Sequence, residues 1–131
     1  KYTKNEKVIM KLERLKKILF FQDLDDNVVE QIALFSIESK LLKNNIIFYE
    51  GEDATKLVFL ASGVVKLYKT TSNDKHIVLK YFQPDELIGE RACFENIAYP
   101  ATAEAFSDVE LIKIDFDKFK ALMYANPELS F

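Results

Sequence analysis

Residues 81–105, YFQPDELIGERACFENIAYPATAEA, decide the fold of this chain. A short apolar run is followed by a turn signal at residues 83–85, and Gly89 then precedes residues 90–96, which we interpret as a short helix. A strand that ends at a glycine and leads into a helix presents free backbone amides, which suit an anion. A tight turn without any ligand explains the glycine equally well, so the rest of the chain must decide between these two interpretations.

Short apolar runs and turn signals alternate along the middle of the chain. From Ser36 onward the turn signals recur about every ten residues, which is typical of an antiparallel sandwich or roll and not of alternating strands and helices. The sequence therefore predicts a mainly β fold with flanking helices. We place the strands at residues 37–42, 46–49, 56–62, 64–70, 75–82, 100–106 and 108–114.

Helical patterns lie on both sides of these strands. Apolar residues at helical spacing predict an amphipathic helix over residues 6–19, and a second helix begins at residues 25–27. Asn27 and Glu30, three residues apart, predict a capping box for this second helix. Asp115 predicts the N-cap of a further helix. The apolar side of that helix consists of Phe116, Phe119, Leu122 and Met123.

A pattern typical of a helix start lies shortly before Phe131. Asn126, Pro127 and Glu128 combine a capping residue, a proline at the first helical position and an acid in the first turn. We therefore expect the chain to be an excised domain of a longer protein. The predicted organisation is a single domain over residues 1–131, with a helical N-terminus at 6–35, an antiparallel roll at 37–114 and C-terminal helices at 115–131.

Composition narrows the class of protein further. A chain of 131 residues with 49% hydrophobic and 30% charged residues has the balance of one globular domain. The net charge of -3, with lysines and arginines spread along the chain, lacks the basic footprint of a nucleic-acid-binding surface. No apolar stretch approaches the roughly 18 residues that span a bilayer, and the first residues do not resemble a secretory signal. We therefore predict a cytoplasmic protein without a membrane partner.

A metal-dependent β-barrel enzyme is the main catalytic alternative. Such enzymes gather several histidine and carboxylate ligands around one metal ion, whereas this chain has a single histidine, His76, in a polar turn segment. A nucleophilic Cys93, the one cysteine, would need that same histidine as its base. We interpret His76 as an exposed hairpin residue and Cys93 as a small buried hydrophobe. The sequence thus predicts no catalytic set and no metal site.

Five phrases, taken in order, resemble the effector domain of the Crp/Fnr transcription regulators and the wider cyclic-nucleotide-binding superfamily. They are residues 19–24 (LFFQDL), 46–52 (IIFYEGE), 61–68 (ASGVVKLY), 81–90 (YFQPDELIGE) and 99–105 (YPATAEA). The resemblance implies a double-stranded β-helix, that is a jelly-roll β-roll, which senses a small-molecule effector and is not an enzyme. It also implies that residues 126–128 open a dimerisation helix followed by a helix-turn-helix domain, through which a homodimer binds DNA.

The same resemblance assigns the effector site. In members that bind cyclic nucleotides, a glycine-glutamate pair forms the core of a phosphate capsule, and an arginine further along grips the cyclic phosphate. The implied capsule residues in this chain are Gly89, Glu90, Arg91, Tyr99, Ala101 and Thr102.

The capsule arginine has no counterpart here. Its position falls at Tyr99, or at Pro100 if the gap is placed differently, and neither residue offers a cation. Loss of a charge-assisted hydrogen bond predicts an affinity for cAMP that is lower by at least about 10-fold to 100-fold. Arg91 either substitutes for the missing cation or is an exposed charge beside Glu90 and Glu95.

The sequence leaves the identity of the effector open. Residues 99–105 look like the branch of the family that does not use cyclic nucleotides and in which some members bind haem. The candidate iron ligands are His76, Cys93, Met10, Met123 and the tyrosines. An iron-sulfur cluster of the family's oxygen-sensor type needs four cysteines. This chain has only one, Cys93, and therefore cannot hold such a cluster. A cyclic-nucleotide-binding regulatory module from a kinase or a channel is the second alternative, although such a module would carry the capsule arginine.

Overall fold

Two antiparallel four-stranded sheets form the centre of the domain. The computed structural model describes residues 3–16 and 21–126. Its elements, in chain order, are α1 (Lys4–Lys16), α2 (Asp26–Leu34), β1 (Ser36–Leu41), β2 (Ile46–Phe48), β3 (Lys56–Ser62), β4 (Val65–Thr70), β5 (His76–Phe82), β6 (Leu87–Ile88), α3 (Glu90–Glu95), β7 (Thr102–Ala105), β8 (Val109–Asp115) and α4 (Phe116–Ala125). The first sheet has the order β1-β8-β3-β6 and the second sheet β2-β7-β4-β5. The predicted mainly β fold with flanking helices is confirmed.

Strand β3 shows why the first sheet lies in the middle of the layers. Its residues 57–60 are each at most 2% exposed. Leu57 and Phe59 belong to a cluster with the helices, whereas Val58 and Leu60 belong to a cluster between the two sheets. Because successive side chains of a strand point to opposite faces, a sheet covered on both sides requires a continuous apolar run.

Helices α1, α2 and α4 cover the outer face of the first sheet. Leu15 of α1, Ile32 of α2 and Phe119 of α4 are all fully or almost fully buried in the helix-side cluster. Asp115 caps α4, since its Oδ1 accepts a hydrogen bond from the Lys118 amide at 3.0 Å. This capping interaction was expected from the sequence and is confirmed.

Two details of the sequence-based description are wrong. The predicted start of α2 at residues 25–27 is correct, but the capping box of Asn27 and Glu30 does not form, because the N-cap is Asp25, whose backbone is extended with φ -60° and ψ 147°. The Asp25 carbonyl accepts from the amide of Val28 at 3.0 Å, so Asn27 is already inside the first turn. Strand β6 is missing from the seven predicted strand ranges, although a strand ending at Gly89 was expected, and it pairs with β3 through two residues only.

Part of the expected helical structure lies outside the described residues. The helix predicted over residues 6–19 corresponds to α1 as far as Lys16, and residues 17–20 are not described. Asn126 is the C-cap of α4 and donates its side-chain amide to the Leu122 carbonyl at 2.8 Å. Pro127 and Glu128, the rest of the predicted helix start, are outside the described ranges, and the single-domain organisation over residues 1–131 stays a prediction. Within residues 3–16 and 21–126, no helix is long and apolar enough to cross a membrane.

Candidate functional site

A cavity of about 720 Å³ opens beside the turn between β6 and α3. Small-molecule sites typically measure about 300 to 1,000 Å³, so this volume suits one small ligand. The lining is mostly apolar with several charged side chains. It consists of Phe48, Leu67, Lys80, Phe82, Asp85, Glu86, Leu87, Gly89, Glu90, Arg91, Ala92, Tyr99, Pro100 and Ala101.

Gly89 shapes one wall of the cavity. It follows β6, adopts the left-handed conformation with φ 77° and ψ 14°, and is the N-cap of α3. A Cβ atom at this position would lie 2.7 Å from Cε1 of Tyr99, so the close packing of the turn requires a glycine. The first amides of a helix have no acceptor within it, which leaves the amides of Glu90 and Arg91 beside the cavity. The expected sequence of strand, glycine and short helix is confirmed.

Tyr99 is a core residue as much as a cavity residue. Its side chain stacks on Phe48, with 3.7 Å between the ring centroids and 9° between the ring planes. Its hydroxyl donates a hydrogen bond to the Lys56 carbonyl at 2.9 Å. Burial is the main cause that raises the pKa of this phenol above its ordinary value. The hydroxyl is therefore a neutral donor already engaged by the backbone, and it offers no charge to an anion.

Glu90 is the half-buried carboxylate of the cavity. Burial raises the pKa of Glu90, and the positive charge of Lys80 partly opposes that rise. In the part of the chain that the structure describes, its side chain makes no hydrogen bond or ion pair. A partly desolvated carboxylate without a partner is an acceptor that a ligand donor can satisfy.

The two cations of the cavity are already paired. Lys80 Nζ lies 3.2 Å from Oε2 of Glu86, and Nε of Arg91 lies 2.6 Å from Oε2 of Glu95. The pKa of Glu86 is lowered chiefly because the Gln83 amide donates to its carboxylate at 2.7 Å, with Lys80 adding to the effect. The Arg91 side chain is 86% exposed, which matches the expectation of a surface charge beside Glu95.

The structure brings most of the expected site residues to this cavity. Gly89, Glu90, Arg91, Tyr99 and Ala101 line it. Thr102 does not: its Oγ1 accepts a hydrogen bond from the Glu50 amide at 3.0 Å. The neighbouring Ala101 and Ala103 are buried, and alternation along β7 turns Thr102 away from the inter-sheet cluster that holds Ala103.

Sequence reasoning missed the contributions of β4 and β5 to the cavity. Leu67 lies opposite Lys80 in the pairing of these strands, and Phe82 follows Lys80 on the same side of β5. The sequence does show that Lys80 and Phe82 share a face of their strand, because residues two apart in a strand point to the same side. It does not show that β5 borders the cavity, and without that knowledge the two residues could not be assigned to the site.

The expected iron ligands do not meet in the cavity. Haem needs an axial ligand, and among the candidates whose side chains are described only Tyr99 lines the cavity, with its hydroxyl bound to Lys56. His76 is exposed and stacks on Tyr68 at 3.9 Å between centroids, as expected of a hairpin residue. Met123 packs against the helix-side cluster, and the Met10 side chain lies outside the described residues. The described donors therefore do not fit haem at this site.

Cys93 is buried and should be unreactive. It is 2% exposed, its Sγ donates to the Lys56 carbonyl at 3.2 Å, and burial raises the pKa of the thiol from 9.0 to about 11. Because only the thiolate reacts, the native chain at pH 8 should be alkylated by iodoacetamide at least about 100-fold more slowly than the urea-unfolded chain. Since the native pKa is raised, the native rate should increase only as the pH approaches about 11. Rapid labelling of the native chain at pH 8 would contradict this assignment.

The described residues are 3–16 and 21–126. No group of three or more His, Cys, Asp and Glu side chains in these ranges could hold a metal ion.

Two regulatory proteins resemble this chain in sequence. The Anaerobic regulatory protein of Bacillus subtilis (strain 168) is 28% identical over 109 residues, which cover 82% of this chain and 46% of that protein. The cAMP-dependent protein kinase type II regulatory subunit of Drosophila melanogaster is 29% identical over 112 residues, which cover 86% of this chain and 28% of that protein. The chain therefore spans less than half the length of either relative.

A solved structure shares the fold over most of the chain. The sensor domain of the transcriptional regulator DNR from Pseudomonas aeruginosa superposes with a TM-score of 0.87 over 95% of this chain and 83% of that chain, at 23% identity. This likeness confirms the predicted β-roll. The sequence pattern of the family described as "Cyclic nucleotide-binding domain" matches residues 38–126, well over half of the chain. The chain belongs to the cyclic nucleotide-binding domain family, and its relatives include Crp/Fnr-type transcription regulators.

Proposed function

We propose that this chain is the effector-sensing domain of a Crp/Fnr-type transcription regulator. It binds a small molecule in the β-roll cavity and signals allosterically to a downstream helix-turn-helix domain. The observation that carries the proposal is the cavity of about 720 Å³ beside Gly89, in a domain whose family serves regulation. Signalling is a population shift between two arrangements of the regulator, biased by the different affinity of each for the effector.

Helix α3 links the cavity to the helix that follows the β-roll. Glu90 and Arg91 at the start of α3 line the cavity. Phe94, one turn further on, contacts the Phe116 ring with 4.9 Å between centroids and the Phe119 ring with 6.4 Å. Both of these rings belong to α4, so a ligand that moves α3 changes the packing of α4. This contact supports a signal that travels toward the C-terminal side of the domain.

DNA recognition is assigned to another part of the regulator. The net charge of -3, with lysines and arginines spread along the sequence, disfavours DNA binding by this chain, so the contact belongs to the proposed C-terminal domain. A homodimer is proposed for the same regulator, because a two-fold symmetric protein can read two half-sites.

A regulatory module of a kinase or a channel is the second candidate, favoured by the kinase regulatory subunit among the relatives. A module of that kind must hold a cyclic phosphate. Tyr99 stands where the phosphate-binding arginine is expected, and its hydroxyl is engaged by Lys56. This difference favours an effector other than a cyclic nucleotide.

Replacing Leu67 with tryptophan should abolish the response of the regulator to its effector. Leu67 is partly buried and lines the cavity, so the larger indole occupies ligand space without replacing a fully buried core residue. Steric exclusion should lower effector affinity by more than about 10-fold. The measurement is expression from the promoters that the full gene product occupies, located by chromatin immunoprecipitation and followed across growth conditions.

Lys69→Trp is the matched control, because Lys69 is exposed on the same strand and does not line the cavity. Promoters should respond normally in this variant and lose their response in Leu67→Trp. A gene product that occupies no promoter, or a normal response in Leu67→Trp, would overturn the proposed function.

A further inference from the structure

We infer that the cavity selects small ligands that are uncharged or cationic and that donate an N–H or O–H group to Glu90, and that it disfavours phosphate-bearing anions. The inference rests on the proposed function, since it concerns the same cavity. It goes beyond the weak cAMP binding expected from the missing arginine, because it states which chemistry the cavity accepts.

Carboxylates outnumber cations among the residues that line the cavity. Three lining carboxylates, Asp85, Glu86 and Glu90, face two lining cations, Lys80 and Arg91. The cations are compensated by ion pairs at 3.2 Å and 2.6 Å. An anionic ligand would have to break one of these pairs or enter beside uncompensated carboxylate charge, and both are unfavourable.

Glu90 is the group that a preferred ligand contacts in the cavity. It is half-buried, and within the described residues its carboxylate has neither a hydrogen-bond partner nor an ion pair. A ligand that donates an N–H or O–H group replaces the water that burial has removed from this carboxylate. The gain is largest for a cationic donor, because such a hydrogen bond is charge-assisted.

The N-terminus of α3 opposes this preference only weakly. The dipole of a helix corresponds to roughly half a positive charge at its N-terminus, and α3 has six residues. Glu90, the first residue of α3, places a full negative charge in the same turn. The carboxylate therefore offsets the weak preference of these amides for an anion.

Aromatic rings define the shape of the preferred ligand. Phe48 and Tyr99 form a stacked pair at one side of the cavity, and Phe82 lines it from β5. Offset stacking and edge contacts with such rings favour a flat or aromatic ligand. An aromatic amine combines this shape with a donor for Glu90.

Two probes of matched size and opposite charge test the inference. Tryptamine and indole-3-propionate share the indole ring and a side chain of similar length, but one ends in an ammonium group and the other in a carboxylate. Amide chemical shifts of Gly89, Glu90 and Ala101 in the 131-residue chain report binding in the cavity. Tryptamine should bind at least about 10-fold more tightly than indole-3-propionate.

Two variants assign the preference to the carboxylate. Glu90→Gln keeps the shape and hydrogen-bonding atoms but removes the charge, so the ratio of affinities should fall to about 3-fold or less. Glu13→Gln removes a carboxylate from the exposed side of α1 and should leave the ratio unchanged.

The outcomes separate this inference from the proposed function. Equal or tighter binding of indole-3-propionate, an unchanged ratio in Glu90→Gln, or no shift of the three amides with either probe would overturn the ligand preference. None of these results alters the promoter response, which decides the proposed function through Leu67→Trp. A normal promoter response in Leu67→Trp together with a strong tryptamine preference would overturn the function and keep the binding site.

Discussion

Replacing Gly89 with alanine should lower the free energy of unfolding by about 3 kcal/mol, the sum of backbone strain and overpacking. Gly89 has φ 77°, a region in which a Cβ atom is unfavourable. The added atom would also lie 2.7 Å from Cε1 of Tyr99. Tyr99 cannot give way, because its ring is stacked on Phe48 and its hydroxyl is bound to Lys56. Urea denaturation followed by circular dichroism measures the change.

Gly51→Ala is the matched control for backbone strain. Gly51 has φ 91°, and a Cβ atom there would meet nothing within 4 Å. Its replacement should therefore cost only about 1 kcal/mol. In a Tyr99→Ala background, Gly89→Ala should likewise cost about 1 kcal/mol, since the contact is gone. Equal costs for Gly89→Ala and Gly51→Ala in the native background would show that the close approach to Tyr99 carries no energy.

The strands of the fold were predictable because burial leaves a clear pattern in them. The run Leu57–Leu60 predicted a strand, and its placement between two apolar layers explains why polar residues do not interrupt it. The extent of strand β6 was not predictable in this way, because its two residues are too few to show a period. Its place is fixed by pairing with Val58 and Phe59, which are distant in sequence.

The N-cap of α2 shows where a local sequence rule fails. Asn27 and Glu30 satisfied the spacing of a capping box, but Asp25 and Asp26 precede them, and either could also begin a helix. In the structure the N-cap is Asp25, and Val28 and Val29 in the first turn are buried in the helix-side cluster. A capping motif gives the kind of element more securely than its first residue.

The sequence allowed the site residues of one continuous segment to be predicted, but not those that other strands bring to the cavity. Residues 89–101 are close in sequence, so the resemblance could assign most of them together. Lys80 and Glu86 come to the same cavity through strand pairing and a turn, and their ion pair is a property of the tertiary structure. The charge balance that governs the proposed ligand preference therefore required the structure.

Replacing Tyr99 with alanine should lower the free energy of unfolding by about 4 kcal/mol, as expected for a large buried aromatic side chain. The residue is 5% exposed and contributes both a ring stack and a hydrogen bond to the core. Alanine would leave a void between Phe48 and the Gly89 turn. Urea denaturation of the variant measures the loss, and a loss below about 1 kcal/mol would place Tyr99 outside the core.

Tyr99→Phe separates the ring from the hydroxyl. The ring stack on Phe48 remains, and the Lys56 carbonyl keeps the Cys93 thiol as a donor at 3.2 Å. The free energy of unfolding should therefore fall by only about 1 kcal/mol, the usual net value of one hydrogen bond. A loss equal to that of Tyr99→Ala would mean that the hydroxyl, and not the ring, holds this part of the core.

The same variant decides how Tyr99 serves the ligand. Because the hydroxyl donates to Lys56, only the ring is available to line the cavity, and Tyr99→Phe should change the affinity for tryptamine by less than about 2-fold. A loss of about 10-fold without a matching loss of stability would instead mean that the hydroxyl leaves Lys56 to bind the ligand. In that case Tyr99 would act as a polar capsule residue at the position of the missing arginine, and the cavity would need a second conformation to bind.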